Sequence, residues 1–386
     1  MIPLRIAALA AALVLGGCFK VPEKIDVNIR NGGDSSASVP AGSGSGGGSW
    51  SDIAAGMAGK VFLDDEYGVL FYAFDTLAYP GAPIDLSASV QASRQMKGIP
   101  GATVEFRLGE QVLGVAASNE RGMASIKWTP PGDGLFEVTA RIIAAPAGWP
   151  ATMLQVSAAP LLVAAYQRPV QLAVIDLDHT IVDAGFFRAL VGGAKPMAGS
   201  VEVTGRIAEQ YGVVYLTHRP DLLTRKSKAW LLQHGYPRGP LMVSEIDQAF
   251  GDSGQFKAAT LAGLRKAYPN LAIGIGDKLS DAQAYVDNGL TAYLIPHYKA
   301  KPKDMREMAA DIRKLDGRGR LQVVDGWGDI EVGIFGGRKF PPQDYARRLD
   351  AQADRLQREI KQREAEEKRR EREEERREKE EEKEDD

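Results

Sequence analysis

The 386-residue sequence is poor in three things: cysteine, charge of one sign and long apolar runs. Cys18 is the only cysteine, so the chain can form no intramolecular disulfide. Lys and Arg number 48 against 51 Asp and Glu, and this near balance gives no overall field that would attract nucleic acid. The first apolar run, residues 6–15, is too short to span a hydrocarbon core of about 30 Å. Internal disulfides are therefore excluded, and a nucleic-acid partner is not expected.

The N-terminal segment has the pattern of a secretory signal. Arg5 precedes the apolar run, and the run ends in Leu-Gly-Gly-Cys, which resembles the lipobox of bacterial lipoproteins. The resemblance implies a signal peptide over residues 1–17 and lipidation of Cys18; the alternative is an incidental cysteine after an ordinary signal peptide. Phe19 stands where an inner-membrane retention signal would have Asp. We therefore expect an anchor in the outer membrane facing the periplasm, with the inner membrane's periplasmic face or the cell surface as alternatives.

A Gly/Ser-rich linker should follow the anchor over residues 18–58. Residues 59–166 then contain short alternating segments separated by turn sequences such as "YPGAP", "NERG" and "PPGDG". This pattern predicts an antiparallel β-sandwich, and the stretch resembles the immunoglobulin-like modules of bacterial surface proteins. No catalytic constellation occurs here, so the domain is interpreted as a spacer or packing module, with recognition of a protein partner as the alternative.

The pattern changes in residues 167–340, where apolar strands alternate with helical segments. "VQLAVIDLD", "VVYLTHRP", "GPLMVSE", "LAIGIGDK" and "TAYLIP" read as strands, and the segments between them have helical spacing. This alternation predicts a doubly wound α/β domain with a parallel sheet, in which ligands bind at the carboxyl ends of the strands.

Unusual polar residues fall at those strand ends. Asp176 and Asp178 close the first strand, and Asp277 and Asp281 follow a later one. Carboxylates that converge on one sheet edge repel each other unless a hard cation neutralises them, and Mg²⁺ prefers such oxygen ligands. A carboxylate can also attack phosphorus, and a second one can protonate the leaving oxygen and later activate water. The sequence therefore predicts a magnesium-dependent phosphoryl-transfer site.

These residues resemble the four motifs of the haloacid-dehalogenase superfamily: "DLDHT", Thr217 after an apolar strand, Lys257, and "GDKLSD". The resemblance implies Asp176 as nucleophile and Asp178 as general acid and base. It also implies Mg²⁺ held by Asp176, the backbone around Asp178, and Asp277, with Asp281 close by. The predicted metal-binding residues are Asp176, Asp178, Asp277 and Asp281. The predicted phosphoryl-binding residues are Thr180, Thr217, His218, Arg219 and Lys257.

Within the superfamily, the sequence resembles the catalytic domain of lipins and the related domain of RdgB-type phosphatidylinositol-transfer proteins. The matching pieces are Thr-His-Arg-Pro at residues 217–220, Gly-Pro-Leu at 239–241 and Phe-Lys at 256–257. Lipins are Mg²⁺-dependent phosphatidate phosphatases. Two positions depart from their pattern: His179 replaces the usual glycine, and Asp277 replaces the usual asparagine. The short spacing between motifs leaves no room for a separate cap domain, which suits a phospholipid headgroup or another bulky phosphate.

Residues 341–386 are rich in helix formers with opposite charges three and four positions apart. Leu349, Leu356 and Ile360 form a short apolar stripe, so the first turns could pack on the domain and the rest should be a solvated helix or a partner contact.

Three functions remain open from the sequence. The first is a lipid phosphatase that converts phosphatidate to diacylglycerol at a membrane surface. The second is a lipoprotein phosphomonoesterase that acts on soluble esters. The third is a non-catalytic surface-binding lipoprotein.

Overall fold

The computed structural model describes residues 65–95, 97–183, 194–245 and 252–384. The predicted signal peptide, the lipidation site Cys18 and the Gly/Ser-rich linker lie outside these residues. Among the described residues, no helix combines the length and apolarity that crossing a membrane requires.

The N-terminal part consists of two five-stranded sheets. One sheet contains β1 (Asp65–Glu66), β2 (Val69–Ala73), β4 (Ile84–Ala92), β5 (Lys97–Gly98) and β8 (Met123–Trp128). The other contains β3 (Thr76–Ala78), β6 (Thr103–Leu108), β7 (Gln111–Ala117), β9 (Gly134–Ala144) and β10 (Ala159–Ala165). Pairing is antiparallel except between β3 and β10. Apolar side chains from both sheets form one core, as a sandwich requires. Strands β2 and β10 lack the alternation on which the sandwich prediction depends, because nearly all of their side chains are buried.

The following part is an α/β layer structure with a six-stranded parallel sheet, as the sequence predicts. Its strands are β11 (Leu172–Ile175), β12 (Gly212–Pro220), β13 (Leu241–Ser244), β14 (Leu271–Gly276), β15 (Thr291–Leu294) and β16 (Leu321–Val323), in the order β13-β12-β11-β14-β15-β16. Its helices are α1 (Ser200–Ala208), α2 (Thr224–Gln233), α3 (Ser253–Ala267), α4 (Leu279–Asp287), α5 (Pro302–Lys314) and α6 (Trp327–Gly336). A 3₁₀ turn (Asp221–Leu223) joins β12 to α2.

Strand β11 decides where the functional residues meet. Leu172 and Val174 pack into one apolar core, and Ala173 and Ile175 into the other, because successive side chains point to opposite faces. Both faces of β11 are thus covered, which explains its uninterrupted apolar sequence. The chain runs from β11 to β12 on one side and places β14 on the other, so a crevice opens at the carboxyl end of β11.

A buried carboxylate joins the sandwich to the parallel sheet. Asp75 accepts hydrogen bonds from the backbone N–H groups of Leu162 in β10 (2.6 Å) and Leu241 in β13 (3.0 Å). Its carboxylate also lies 2.6 Å from the ammonium of Lys228 in α2. Since Asp75 is 6% exposed, the sandwich and the α/β part share a buried polar junction.

The C-terminal helix α7 (Pro342–Glu384) begins on the α/β part and then leaves it. Tyr345, Ala346, Leu349 and Ala353 are buried in the same apolar core as residues of α5. The side chains of residues 361–374 are exposed. The structure therefore agrees with a helix whose first turns pack and whose remainder is solvated.

Candidate active site

Asp176 is the first residue after β11 and lies in the crevice. Its backbone N–H donates to the carbonyl of Ile275 (3.0 Å), which extends the pairing of β11 with β14 by one residue. The residue is 3% exposed. One carboxylate oxygen lies 2.9 Å from the ammonium of Lys257, and the other is 3.5 Å from the Thr180 hydroxyl. A buried carboxylate is thus held at the end of the central strand by a cation and a hydroxyl group.

Lys257 supplies the positive charge of this site. It lies in the second turn of α3, whose start is capped by Asp252 accepting from the backbone N–H of Gln255. Its ammonium bridges Asp176 and Asp281, 2.5 Å from the latter. Burial alone would lower the pKa of Lys257, but the two carboxylates raise it above its ordinary value, so the side chain stays charged.

Three carboxylates form a compact cluster here: Asp176, Asp277 and Asp281 offer oxygen atoms that all lie within 4.8 Å of one another. Burial, and then the neighbouring carboxylates, raise the pKa of Asp277 to about 8. Burial also raises the pKa of Asp281, to about 6, although the charge of Lys257 opposes that shift. One buried oxygen of Asp277 and one of Asp281 have no hydrogen-bond partner among the described residues. A donor set made only of oxygen, with negative charge that one lysine does not balance, fits Mg²⁺.

The carboxylate of Asp178 lies outside this cluster, and the predicted contact of the Asp178 backbone with Mg²⁺ stays a prediction. Arg219 holds it in a two-pronged ion pair, with nitrogen–oxygen distances of 2.6 and 3.0 Å. The Arg219 side chain is 4% exposed and also donates to the Ser227 hydroxyl of α2 (3.0 Å). The planar fork of Arg219 thus contacts Asp178 and fixes the direction of that carboxylate, and phosphoryl binding by Arg219 stays a prediction.

Of the remaining predicted residues, Thr180 contacts Asp176, and Thr217 and His218 lie in β12, the strand next to β11. Thr217 is 1% exposed at the carboxyl end of β12, and its hydroxyl accepts from the backbone N–H of Arg219 (3.3 Å). Thr180 is fully buried, and its carbonyl accepts from the indole of Trp327 in α6 (2.8 Å). The ring of His218 lies beside Phe256, with 5.2 Å between ring centroids.

The sequence analysis missed His297, which lies near the crevice. An imidazole nitrogen of His297 lies 2.7 Å from the carbonyl of His179, and the two rings are 5.2 Å apart. His297 follows β15 by three residues, so its position near a strand end was the available signal. His179 adopts a left-handed backbone (φ +55°), a conformation that glycine would adopt at lower cost.

Ser227 was also missed, because a serine inside a helical segment carries no sequence signal for contact with Arg219.

One segment of the chain matches a known family model. Residues 173–295 match the family model "PITM 1-3, LNS2 domain". The matched segment runs from β11 to just beyond β15, covers about a third of the chain and contains every predicted catalytic, phosphoryl-binding and metal-binding residue. This match supports a phosphatase domain of the haloacid-dehalogenase type. No curated protein matches the sequence significantly.

Similar solved structures share little sequence with this chain. A haloacid dehalogenase-like family hydrolase from Xanthomonas campestris is 17% identical over 49% of this chain and 99% of its own, with a TM-score of 0.30. The Pnkp1/Rnl/Hen1 RNA repair complex is 11% identical over 35% of this chain, which spans 45% of that structure, with a TM-score of 0.31. The D0-D1 domain of intimin is 17% identical over 30% of this chain and 58% of its own, with a TM-score of 0.20. At these scores, none of the three decides the assignment.

Proposed function

We propose that this protein is a Mg²⁺-dependent phosphatase that forms a phosphoryl-enzyme intermediate on Asp176, with phosphatidate as its substrate. One observation carries the proposal. A buried aspartate at the end of the central strand contacts a lysine, belongs to a three-carboxylate cluster, and has a second, separately oriented aspartate two residues away.

The two aspartates take different roles because their surroundings differ. A carboxylate oxygen of Asp176 bonds to phosphorus while the bond from phosphorus to the leaving oxygen breaks. Asp178 protonates that leaving oxygen and afterwards takes a proton from the water that hydrolyses the acyl phosphate. Arg219 is a positioning residue, because its fork keeps the Asp178 carboxylate in one orientation.

Positive and polar groups stabilise the transferring phosphoryl group. Lys257 and the hydroxyl groups of Thr180 and Thr217 are the groups of this chain that would face its oxygens. Asp176, Asp277 and Asp281 would hold Mg²⁺. When bound, the ion supplies charge neutralisation at the phosphoryl oxygens and balances the carboxylate cluster.

A membrane lipid substrate is supported by three observations. The LNS2 match and the lipin-like motifs point to a domain class associated with phospholipids. The N-terminal sequence predicts a lipid anchor, which would keep the site close to a bilayer. The short spacing between the motifs predicts no separate cap domain, and a site without a cap suits a substrate that stays in a membrane.

The test is phosphate release by the full chain from phosphatidate in mixed micelles and from p-nitrophenyl phosphate, each with Mg²⁺ and with EDTA. Asp176→Asn removes the nucleophile. Asp85→Asn, which changes an exposed aspartate of the sandwich, is the matched control. We expect release from phosphatidate that needs Mg²⁺ and Asp176 and is unchanged in the control.

Other outcomes would reassign the protein. Release from the soluble ester alone would make it a general phosphomonoesterase. Absence of release from both substrates, in a folded protein, would favour the binding function.

A further inference from the structure

A second cleft lies at the amino ends of the strands of the parallel sheet, whereas the active site lies at their carboxyl ends. It encloses about 460 Å³ and is lined by the starts of β14 and β15, the end of α3, and α6 with the loop that follows it. Strand β14 enters this cleft at Leu271 and ends one residue before Asp277. At about 3.3 Å per residue, the chain from Leu271 to Asp277 spans roughly 20 Å. The volume falls within the range of small-ligand sites.

Three cationic side chains line this cleft: Arg265, Arg320 and Lys339. No Asp or Glu is among the lining residues within the part of the chain that the structure describes. None of the three cations forms an ion pair with a described carboxylate, and the one hydrogen bond of the Arg265 side chain goes to the carbonyl of Leu271 (2.9 Å). The cleft therefore concentrates positive charge without an internal counter-ion.

Several arginines elsewhere on the α/β part form ion pairs with carboxylates, unlike the cations of the cleft. Arg318, only two residues from Arg320, pairs with both Asp287 and Asp316. Several other arginines of the C-terminal part are also paired with carboxylates, including Arg206, Arg306, Arg313, Arg347 and Arg348. The cleft differs from these places because its three cations share one concave wall without a carboxylate partner among the described residues.

The other walls provide shape and apolar contact. Tyr293 is 5% exposed and lies with Ile273 and Ile334 in the lining. Burial raises the pKa of Tyr293 to about 12, so its hydroxyl stays protonated and can donate to an anion. The cleft thus combines cations, a neutral hydroxyl donor and an apolar surface, which is the composition of a site for an organic anion.

We propose that this cleft binds a small soluble organic anion that carries two anionic groups and an apolar body. The two anionic groups of such a ligand would pair with the separate cations on α3 and next to β16, and its apolar body would lie on Ile273 and Ile334. The inference concerns a site remote from Asp176 and does not depend on phosphatase activity.

The test uses a benzyl-substituted methylenebisphosphonate, which a phosphatase cannot hydrolyse, titrated calorimetrically into the full chain after a chelating resin has removed divalent metal. Without metal, the carboxylates of Asp176, Asp277 and Asp281 repel anions from the active site, so the titration reports on the cleft. We expect saturable binding of one equivalent to the wild type. The double variant Arg320→Gln/Lys339→Gln should bind at least about tenfold more weakly, because it loses two charge-assisted contacts.

The control is Lys303→Gln/Lys314→Gln, which removes the same net charge from exposed positions of α5. It should bind like the wild type, and thermal melts should show both double variants folded. Absent binding to the wild type, or equal weakening in both double variants, would overturn the proposal. Cleft-dependent binding to phosphatidylglycerol vesicles without binding of the bisphosphonate would overturn it as well, since it would assign the cleft to a membrane.

Discussion

Replacing Arg219 by lysine should change the dependence on the leaving group more than it changes substrate binding. The guanidinium makes two hydrogen bonds to Asp178 and a third to Ser227, and its side chain is only 4% exposed. A lysine ammonium is a point charge that cannot reproduce this planar fork. The variant keeps the charge and loses the geometry, so the Asp178 carboxyl group should lose its fixed direction.

The magnitude follows from the role of Asp178. A positioned general acid contributes about 100-fold to 10,000-fold. We expect Arg219→Lys to lower kcat/KM for an alkyl phosphate by about 100-fold, because an alkoxide leaves poorly without a proton. For p-nitrophenyl phosphate, whose leaving group departs without protonation, the loss should be less than about tenfold. The ratio kcat/KM is the correct quantity because it reports the steps up to departure of the leaving group, whereas kcat also contains hydrolysis of the intermediate.

Arg225→Lys is the matched control. Arg225 lies on the same helix as Ser227 and pairs with Glu66, away from the carboxylate cluster. It should cost stability without changing the ratio between the two substrates. Equal losses on both substrates together with a raised KM would refute the reasoning, since that result is expected if Arg219 binds the phosphoryl group directly.

Three further predictions concern stability. In EDTA, the raised pKa of Asp277, about 8 against about 4 in the unfolded chain, means that the folded state retains a proton that the unfolded state has released. Thermal stability of the metal-free protein should therefore fall as the pH rises from 4 to 8, and Asp277→Asn should flatten that fall; a wild-type profile that rises with pH would contradict this. Asp75→Asn should lower the free energy of unfolding, measured in urea, by about 3 kcal/mol, because it leaves Lys228 without its charged partner, whereas Asp85→Asn should leave it nearly unchanged. Leu349→Ala should lower the free energy of unfolding by roughly 2–5 kcal/mol, because Leu349 is buried. Removal of residues 361–386 should leave the urea midpoint of the remaining chain unchanged, since the side chains of residues 361–374 are exposed. Equal effects of the two changes would contradict the packing of α7.

The fold was largely predictable because most elements have a clear hydrophobic period. The strands β11 to β15 are apolar runs between helical segments, and their order along the chain indicates parallel pairing. The sandwich was harder to read. Strand β2 is buried at every position, so it lacks the alternation that marks a half-exposed strand.

The site residues were predictable where they directly follow a strand of the parallel sheet. Asp176 and Asp277 follow strands that pair directly, so their meeting at one sheet edge follows from topology. The partner of Asp178 was not predictable in this way. The orientation of its carboxylate depends on the Arg219 side chain reaching back from β12, and this conformation is set by tertiary packing. The sequence therefore indicates the type of chemistry more securely than the role of each polar residue.

The most direct test of the central claim is to identify the residue that becomes phosphorylated during turnover. The full chain would be mixed with p-nitrophenyl phosphate and Mg²⁺, quenched in acid, digested and analysed by mass spectrometry. We expect one phosphoryl group on the peptide that contains Asp176, more of it in Asp178→Asn because hydrolysis of the intermediate slows, and none in Asp176→Asn. A phosphoryl group on a different residue, or turnover without any trapped phosphoryl group in Asp178→Asn, would contradict the account.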